Sequence, residues 1–170
     1  MGSVLIVRGA LQFGLGDVER GLAEMRRGID IWRETSGRFH MSEWLSYMVD
    51  RLIRADCRDE ADVFLREGER IVDATNERSH VAEIRRLRGN LLYRDGAVDA
   101  AVICLEQAIG WAHQQHAKVL ELRARRDLAR LQIGEGRPKV ARVILNRALS
   151  QFPKELVFPD LDEARELLPA

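Results

Sequence analysis

The 170-residue sequence is poor in cysteine, proline and aromatic residues. Its two cysteines, Cys57 and Cys104, are 47 positions apart and form no CxxC motif, so they predict neither a disulfide framework nor a zinc site and fit a reducing cytoplasm. Aromatic residues make up only 6% and prolines number 4, and the rest is rich in Ala, Leu, Arg and Glu. This composition favours helices over sheets, so we expect an all-α protein.

Long apolar runs and an excess of either charge are also missing from the sequence. Lys and Arg total 27, as do Asp and Glu, so no global charge favours a nucleic acid or a membrane surface as partner. The longest apolar stretches, such as residues 4–7 and 102–105, fall far short of the roughly 18 residues that span a bilayer. The N-terminus has no long apolar signal core. We therefore predict a cytoplasmic protein without membrane contact.

What the sequence does contain is a repeat. Four segments, beginning at Gly9, Val49, Gly89 and Ala129, align without gaps at an offset of 40 residues. Three columns of this alignment hold Gly or Ala in eleven of twelve positions, and a fourth holds only large apolar residues. The small columns are those of Gly9, Gly21 and Gly28, and the large column is Met25, Leu65, Leu105 and Leu145. Small residues at fixed positions indicate helices that approach closely.

A turn column divides each copy, and it contains Gly16, Asp56, Gly96 and Gly136. Apolar residues recur at helical spacing on both sides of it, so each copy predicts a helix, a turn and a second helix. Gly is typical of a left-handed C-cap, and Asp is one of the few other residues that tolerate this conformation. We expect four hairpins, at about residues 1–40, 41–80, 81–120 and 121–153.

The last residues predict a capping helix over 154–170. Pro159 suits the first helical position, and acidic residues in a first turn favour the helix dipole. These acidic residues are Asp160, Asp162 and Glu163, and the apolar face consists of Leu161, Ala164, Leu167 and Leu168.

This pattern resembles the tetratricopeptide repeat (TPR). The residues that carry the resemblance are Gly89, Leu92, Gly96, Ala101, Leu105 and Ala108, and in the last copy Leu128, Ala129, Gly136, Ala141, Leu145, Ala148 and Pro153. The period of 40 departs from the standard 34, and of the aromatic residues only Trp44 lies near the usual position in a first helix. The resemblance implies a right-handed α-solenoid that serves as a non-enzymatic protein-interaction scaffold and needs no cofactor or metal.

A narrower resemblance covers residues 83–96, 101–137 and 158–168. These segments are similar to the C-terminal repeat region of bacterial multidomain adenylate or guanylate cyclases and STAND-type ATPase regulators. The resemblance implies a sensor or regulatory segment of a longer signalling protein, in which the catalytic domains lie upstream. No residue of this sequence matches those domains, so the resemblance implies no activity here.

The TPR resemblance also places a concave groove along the first helix of each hairpin. The positions that would line it in the third and fourth copies are Arg86, Asn90, Tyr93, Arg123, Arg126, Arg130 and Ile133. This arrangement is similar to the carboxylate clamp of TPR co-chaperones, and guanidinium forks suit carboxylates. We expect a protein or peptide partner with an acidic segment or a C-terminal carboxylate.

The basic residues between positions 118 and 147 have two other interpretations, a solvated face and a nucleic-acid site. Residues 118–147 hold nine basic and three acidic residues, and such a face is often only solvated, here with Glu83, Glu121 and Asp127 as neighbouring partners. The neutral total and the lack of aromatic residues in this segment argue against nucleic-acid binding. A further possibility is a homo-oligomer through the uncapped first helix, where Leu5, Ile6 and Phe13 would leave apolar surface in water.

Candidate catalytic and metal-binding motifs have simpler structural interpretations. His113 and His116 lie three positions apart, but no further ligand at helical spacing completes a metal site. His40 and His80 lie one period apart, which indicates a structural role. The glycines of residues 9–16 lack the GK[ST] of a phosphate loop. We therefore predict no enzymatic activity.

Overall fold

A computed structural model describes residues 1–36, 40–75 and 78–168, and within this part of the chain the secondary structure is entirely helical. The helices are α1 (Gly2–Gly14), α2 (Val18–Ser36), α3 (Met41–Arg54), α4 (Arg58–Thr75), α5 (Val81–Arg94), α6 (Val98–Gln114), α7 (Lys118–Gly134), α8 (Pro138–Leu149) and α9 (Pro159–Glu166). Consecutive helices α1 and α2, α3 and α4, α5 and α6, and α7 and α8 pack as pairs. The predicted helical hairpins are therefore present.

The chain divides into two compact units. Unit 1 comprises Met1–His80 and contains α1 to α4, whereas unit 2 comprises Val81–Ala170 and contains α5 to α9. The division falls between α4 and α5.

The turn inside each hairpin has the predicted left-handed residue. The φ angle is 97° at Gly16, 58° at Asp56, 79° at Gly96 and 72° at Gly136. In each copy the amide of this residue donates to the carbonyl three positions back, and the following amide donates to the carbonyl five positions back. These are the two bonds of a Schellman motif, so all four hairpin turns begin with the same helix ending.

Glycines bring the first pair of helices into backbone contact. A Cβ atom added to Gly9 would lie 2.5 Å from the carbonyl oxygen of Gly21, and one added to Gly2 would lie 2.6 Å from that of Gly28. The reverse contacts are equally short, at 2.7 Å for both Gly21 and Gly28. The separation of α1 and α2 is thus set by backbone atoms, as their small columns predicted.

The large apolar column forms the core of every hairpin. Met25, Leu65, Leu105 and Leu145 are all 0% exposed. In unit 2, one cluster of buried residues joins α7, α8 and α9. Leu161 and Ala164 of α9 belong to this cluster and are fully buried, so the expected capping helix is present and covers the last hairpin.

The sequence was wrong about which face of α1 is exposed. Ile6 was expected to leave apolar surface in water, but it is 0% exposed, because the glycines of α2 let that helix close over it. Leu5 and Phe13 are only partly exposed. The exposed apolar side chains of α1 are instead Val4, Val7 and Leu11.

Candidate functional site

In unit 2, charged side chains of α5 and α9 meet those of α7. We call them the α7 charge cluster: Glu83 and Arg86 from α5, Arg123, Arg126, Asp127 and Arg130 from α7, and Asp160 and Glu163 from α9. The helical spacing of α7 places its members within two turns. The cluster contains all four arginines that the sequence predicts as partner-binding residues.

Asp127 is the centre of the cluster. Its Oδ2 accepts hydrogen bonds from Arg86 Nη1 and, at 2.7 Å, from Asn90 Nδ2. Its Oδ1 accepts from Arg126 Nε at 3.2 Å and from Arg130 Nη1 at 3.1 Å. One carboxylate therefore fixes four predicted groove residues.

The partners of Asp127 differ widely in exposure. The side chains of Arg86 and Arg126 are each only 3% exposed, and both make further ion pairs. Arg86 donates to both carboxylate oxygens of Glu83, at 3.0 and 2.7 Å. By contrast, the side chain of Arg130 is 51% exposed. A partner protein could reach Arg130 directly, whereas the two buried arginines can only position their neighbours.

Arg123 and Arg126 both point at α9. Arg123 Nη2 lies 2.9 Å from Asp160 Oδ2, and its Nε lies 3.0 Å from both oxygens of that carboxylate. Arg126 Nη1 lies 2.9 Å from Asp160 Oδ1 and 2.8 Å from Glu163 Oε2. The acidic first turn of α9 is therefore bound to the arginines of α7.

The two apolar candidates, Tyr93 and Ile133, lie at the far end of the α5 and α7 pair. Both are partly buried and pack against the core of unit 2. A Cβ atom on Gly134 would collide with the Tyr93 hydroxyl, so that hydroxyl lies directly over the end of α7. The structure thus brings all seven predicted groove residues to α5 and α7.

The electrostatics of the cluster are balanced, since four arginines face four carboxylates. Burial alone would raise the pKa of Asp127, but the charges of Arg86 and Arg126 and the bond from Asn90 hold it well below its ordinary value. The carboxylate is therefore ionised at neutral pH and keeps both buried arginines compensated.

A second buried carboxylate, Glu121, lies nearer the start of α7. Its Oε1 accepts from Arg125 Nε at 2.8 Å and from Gln151 Nε2 at 2.9 Å, and its Oε2 lies 3.2 Å from His113 Nδ1. Burial opposes ionisation, yet the bonds from Arg125, Gln151 and His113 lower the pKa of Glu121 overall. This carboxylate ties α6 and the segment after α8 to α7.

Two of the histidines share a carboxylate partner in unit 1. His40 Nδ1 lies 3.3 Å from Glu43 Oε2, and His80 Nε2 lies 3.9 Å from Glu43 Oε1, so these two histidines, one period apart, meet at the same carboxylate in unit 1. Across residues 1–36, 40–75 and 78–168, no group of three or more His, Cys, Asp or Glu side chains is placed to hold a metal ion.

Sequence reasoning missed the role of α9 in the cluster. Asp160 and Glu163 were assigned to the helix start alone, although Asp160 lies 34 residues after Arg126 and 37 after Arg123. Similar separations occur in unit 1, where Arg26 and Arg33 pair with Glu60 and Glu67, each 34 residues later. A search for opposite charges slightly less than one period apart would have found these pairs.

Comparisons with known proteins bear on the fold. No family model and no curated protein matches the chain. Among solved structures, the chain is similar to a Podospora anserina protein described as a kinesin light chain with nearly identical TPR-like repeats, and to a single-residue variant of that protein. Each comparison gives a TM-score of 0.70 at 16% identity and covers 98% of this chain and 82% of the other.

None of the helices in the described ranges combines the length and hydropathy that a bilayer crossing requires. The structural likeness extends over nearly the whole chain, and the helix pairs and Schellman turns recur at the predicted period. The expected fold class is thereby confirmed: the chain is an all-α protein with the TPR-like helical-repeat fold.

Proposed function

We propose that this chain is a non-enzymatic protein-interaction scaffold whose unit 2 binds a partner segment along α5 and α7. TPR-like folds serve in general as protein-interaction scaffolds, and the seven candidate residues lie together on these two helices. The observation that carries the proposal is the state of Arg130, which Asp127 holds in place while half of its side chain stays in water. An oriented guanidinium of this kind suits a carboxylate on the partner.

Within this proposal, the candidate residues have different roles according to their exposure. Arg130, Asn90 and Tyr93 offer polar atoms to the partner, and Ile133 offers apolar surface. Arg86 and Arg126 are buried and fully engaged, so they act as positioning residues through Asp127. This pairing also leaves little free positive charge for a phosphate backbone, which supports a protein partner over a nucleic acid.

The test is affinity capture from the native cytoplasm, where we predict that the protein resides. The wild-type chain is compared with Arg130→Glu and with a control, Arg147→Glu, which reverses an exposed charge on α8. We expect a partner that is captured by the wild type and the control but lost with Arg130→Glu, and whose bound segment carries a carboxylate. Equal capture by all three chains would show that the partner does not bind through Arg130, and would contradict a binding surface on α5 and α7.

The alternative is a regulatory segment of a larger signalling ATPase, cyclase or transcription regulator, in which the same surface binds a sibling domain. The resemblance of residues 83–96, 101–137 and 158–168 to such regulators supports it. The two proposals predict different genomic reading frames for this chain. A reading frame that joins this chain to a nucleotide cyclase or ATPase domain supports the regulatory segment, and a frame that holds only the repeats supports the separate scaffold.

A homo-oligomer through α1 is a second candidate, because Val4, Val7 and Leu11 are 64%, 58% and 63% exposed. They lie at helical spacing and form one apolar stripe. Sedimentation of the wild type should show a mass that rises with concentration, and a double Val7→Glu, Leu11→Glu variant should stay monomeric. Val63→Glu, at an exposed valine of α4, is the control and should behave as the wild type does.

A further inference from the structure

Helix α9 packs against α7 and α8 of unit 2 through two kinds of contact that alternate along its first turns. Asp160 and Glu163 pair with arginines of α7, while Leu161 and Ala164 are fully buried in the core that α9 shares with α7 and α8. Helix α9 therefore binds through an acidic face and an apolar face at the same time. This is how an amphipathic helix is recognised in a groove.

The arginines that receive α9 are held in place by groups outside α9. Arg126 Nε bonds to Asp127, which lies on the same helix, and Arg123 Nη1 lies 3.9 Å from Glu83 Oε1 on α5. Since Asp127 remains when α9 leaves, the Arg126 guanidinium stays near its present position, and Glu83 keeps a carboxylate within ion-pair range of Arg123. The surface of α7 and α8 that carries α9, which we call the α9 seat, is thus preorganised for two carboxylates.

Helix α9 itself is a small and separable occupant. It has eight residues and is joined to α8 by the non-helical residues 150–158. A helix of this length is not stable by itself in water, so α9 is helical because it is docked. Its retention depends on few contacts compared with those of the paired helices.

We infer that the α9 seat is a recognition site for an acidic amphipathic helix of a partner protein, and that α9 occupies this site in cis as a competitor. The recognised pattern follows from α9: acidic residues at positions i and i+3, a leucine at i+1 and a small residue at i+4. This inference rests on the proposed function as a scaffold and adds a second binding surface with a defined ligand.

The test uses a fluorescein-labelled peptide that copies residues 156–168, titrated by anisotropy into full-length chains. The first chain is the wild type. The second carries Asp160→Asn and Glu163→Gln, which weaken the resident α9 and leave the arginines unchanged. Because a tethered helix competes at an effective concentration on the order of millimolar, we expect the peptide to bind the variant at least about tenfold more tightly than the wild type.

A matched peptide with the same two amide substitutions isolates the charge contribution. It should bind the variant chain about tenfold more weakly than the acidic peptide, because charge-assisted bonds to the arginines are lost. A third chain, Leu161→Ala, loosens α9 through its apolar face without touching any charge. Hydrogen exchange of the α9 amides reports, in both variants, whether the helix has been released.

Each outcome decides the inference. Faster exchange in α9 together with selective binding of the acidic peptide supports it. Faster exchange without binding, or equal binding of both peptides, overturns it, and so does an α9 that stays protected in both variants. Failure of the proposed function has a different signature, since Arg123 and Arg126 receive α9 and Arg130 pairs with Asp127 of its own helix. Arg130→Glu should therefore change partner capture while leaving peptide binding to the α9 seat intact.

Discussion

At the scale of single residues, Asp127 is bonded to four side chains of α5 and α7. Its carboxylate compensates two arginines whose side chains are almost fully buried. Removing one member of a buried ion pair leaves an uncompensated charge, which costs more than the pair itself contributes.

We expect Asp127→Asn to lower the free energy of unfolding by about 3 to 5 kcal/mol, measured by urea denaturation. The control is Asp95→Asn, at an exposed residue after α5, which should change this free energy by less than about 0.5 kcal/mol. A small effect of Asp127→Asn would mean that Arg86 and Arg126 are satisfied by Glu83 and α9 without it.

The pH dependence of stability follows from the same carboxylate. The pKa of Asp127 is lower in the folded than in the unfolded chain. The ionised carboxylate therefore stabilises the fold fully at pH values above its ordinary pKa of about 3.9, and this stabilisation is lost as the pH falls toward its pKa in the folded chain. Glu121 acts in the same direction. Urea unfolding should therefore show a steep loss of stability below about pH 5, and the Asp127→Asn chain should show a shallower one. Parallel profiles for the two chains would exclude this role.

At the scale of elements, the close contact between α1 and α2 requires glycine, which has a hydrogen atom where other residues have a Cβ atom. We expect Gly9→Ala to destabilise the chain by about 1 to 3 kcal/mol, because the methyl group would force the helices apart. Gly110→Ala is the matched control. Gly110 lies inside α6 with open space at its Cβ position, so alanine there should stabilise by about 0.5 to 1 kcal/mol through helix propensity. Thermal unfolding measures both changes.

The elements also show which features a sequence can predict. The small columns and the turn column were found because each depends on one residue type at one local position. Asp56 was correctly assigned a left-handed turn, whereas the left-handed φ of 53° at His40 and 54° at His116 had no such signal. Histidine adopts this conformation more often than most residues other than glycine, but neither position belongs to the turn column.

The candidate site was less predictable than the helices for a related reason. The periodicity put Arg86, Arg126 and Arg130 on first helices and close together. It could not say that two of them are buried, since burial depends on α9 and on Asp127, which the repeat pattern does not specify. The sequence therefore placed these arginines together but could not separate the exposed one from the two buried ones.

At the scale of the whole molecule, the two units each have their own buried residues. In helical-repeat proteins, stability is approximately a sum of repeat and nearest-neighbour terms. Asp127→Asn should consequently accelerate hydrogen exchange in α5 to α9 more than in α1 to α4, because local opening follows local stability. Mass spectrometry of exchanged peptides from both units measures this difference. Equal acceleration throughout would indicate one cooperative unit.

The recurring Schellman turns affect how fast the chain reaches this structure. Each turn is closed by amides that reach back only three and five positions, so little entropy is lost when a hairpin forms. Proteins dominated by such local contacts have low contact order and fold in microseconds to milliseconds. Each hairpin can therefore form early from its own segment of chain, and the charge cluster, which joins residues up to 41 positions apart, assembles after them.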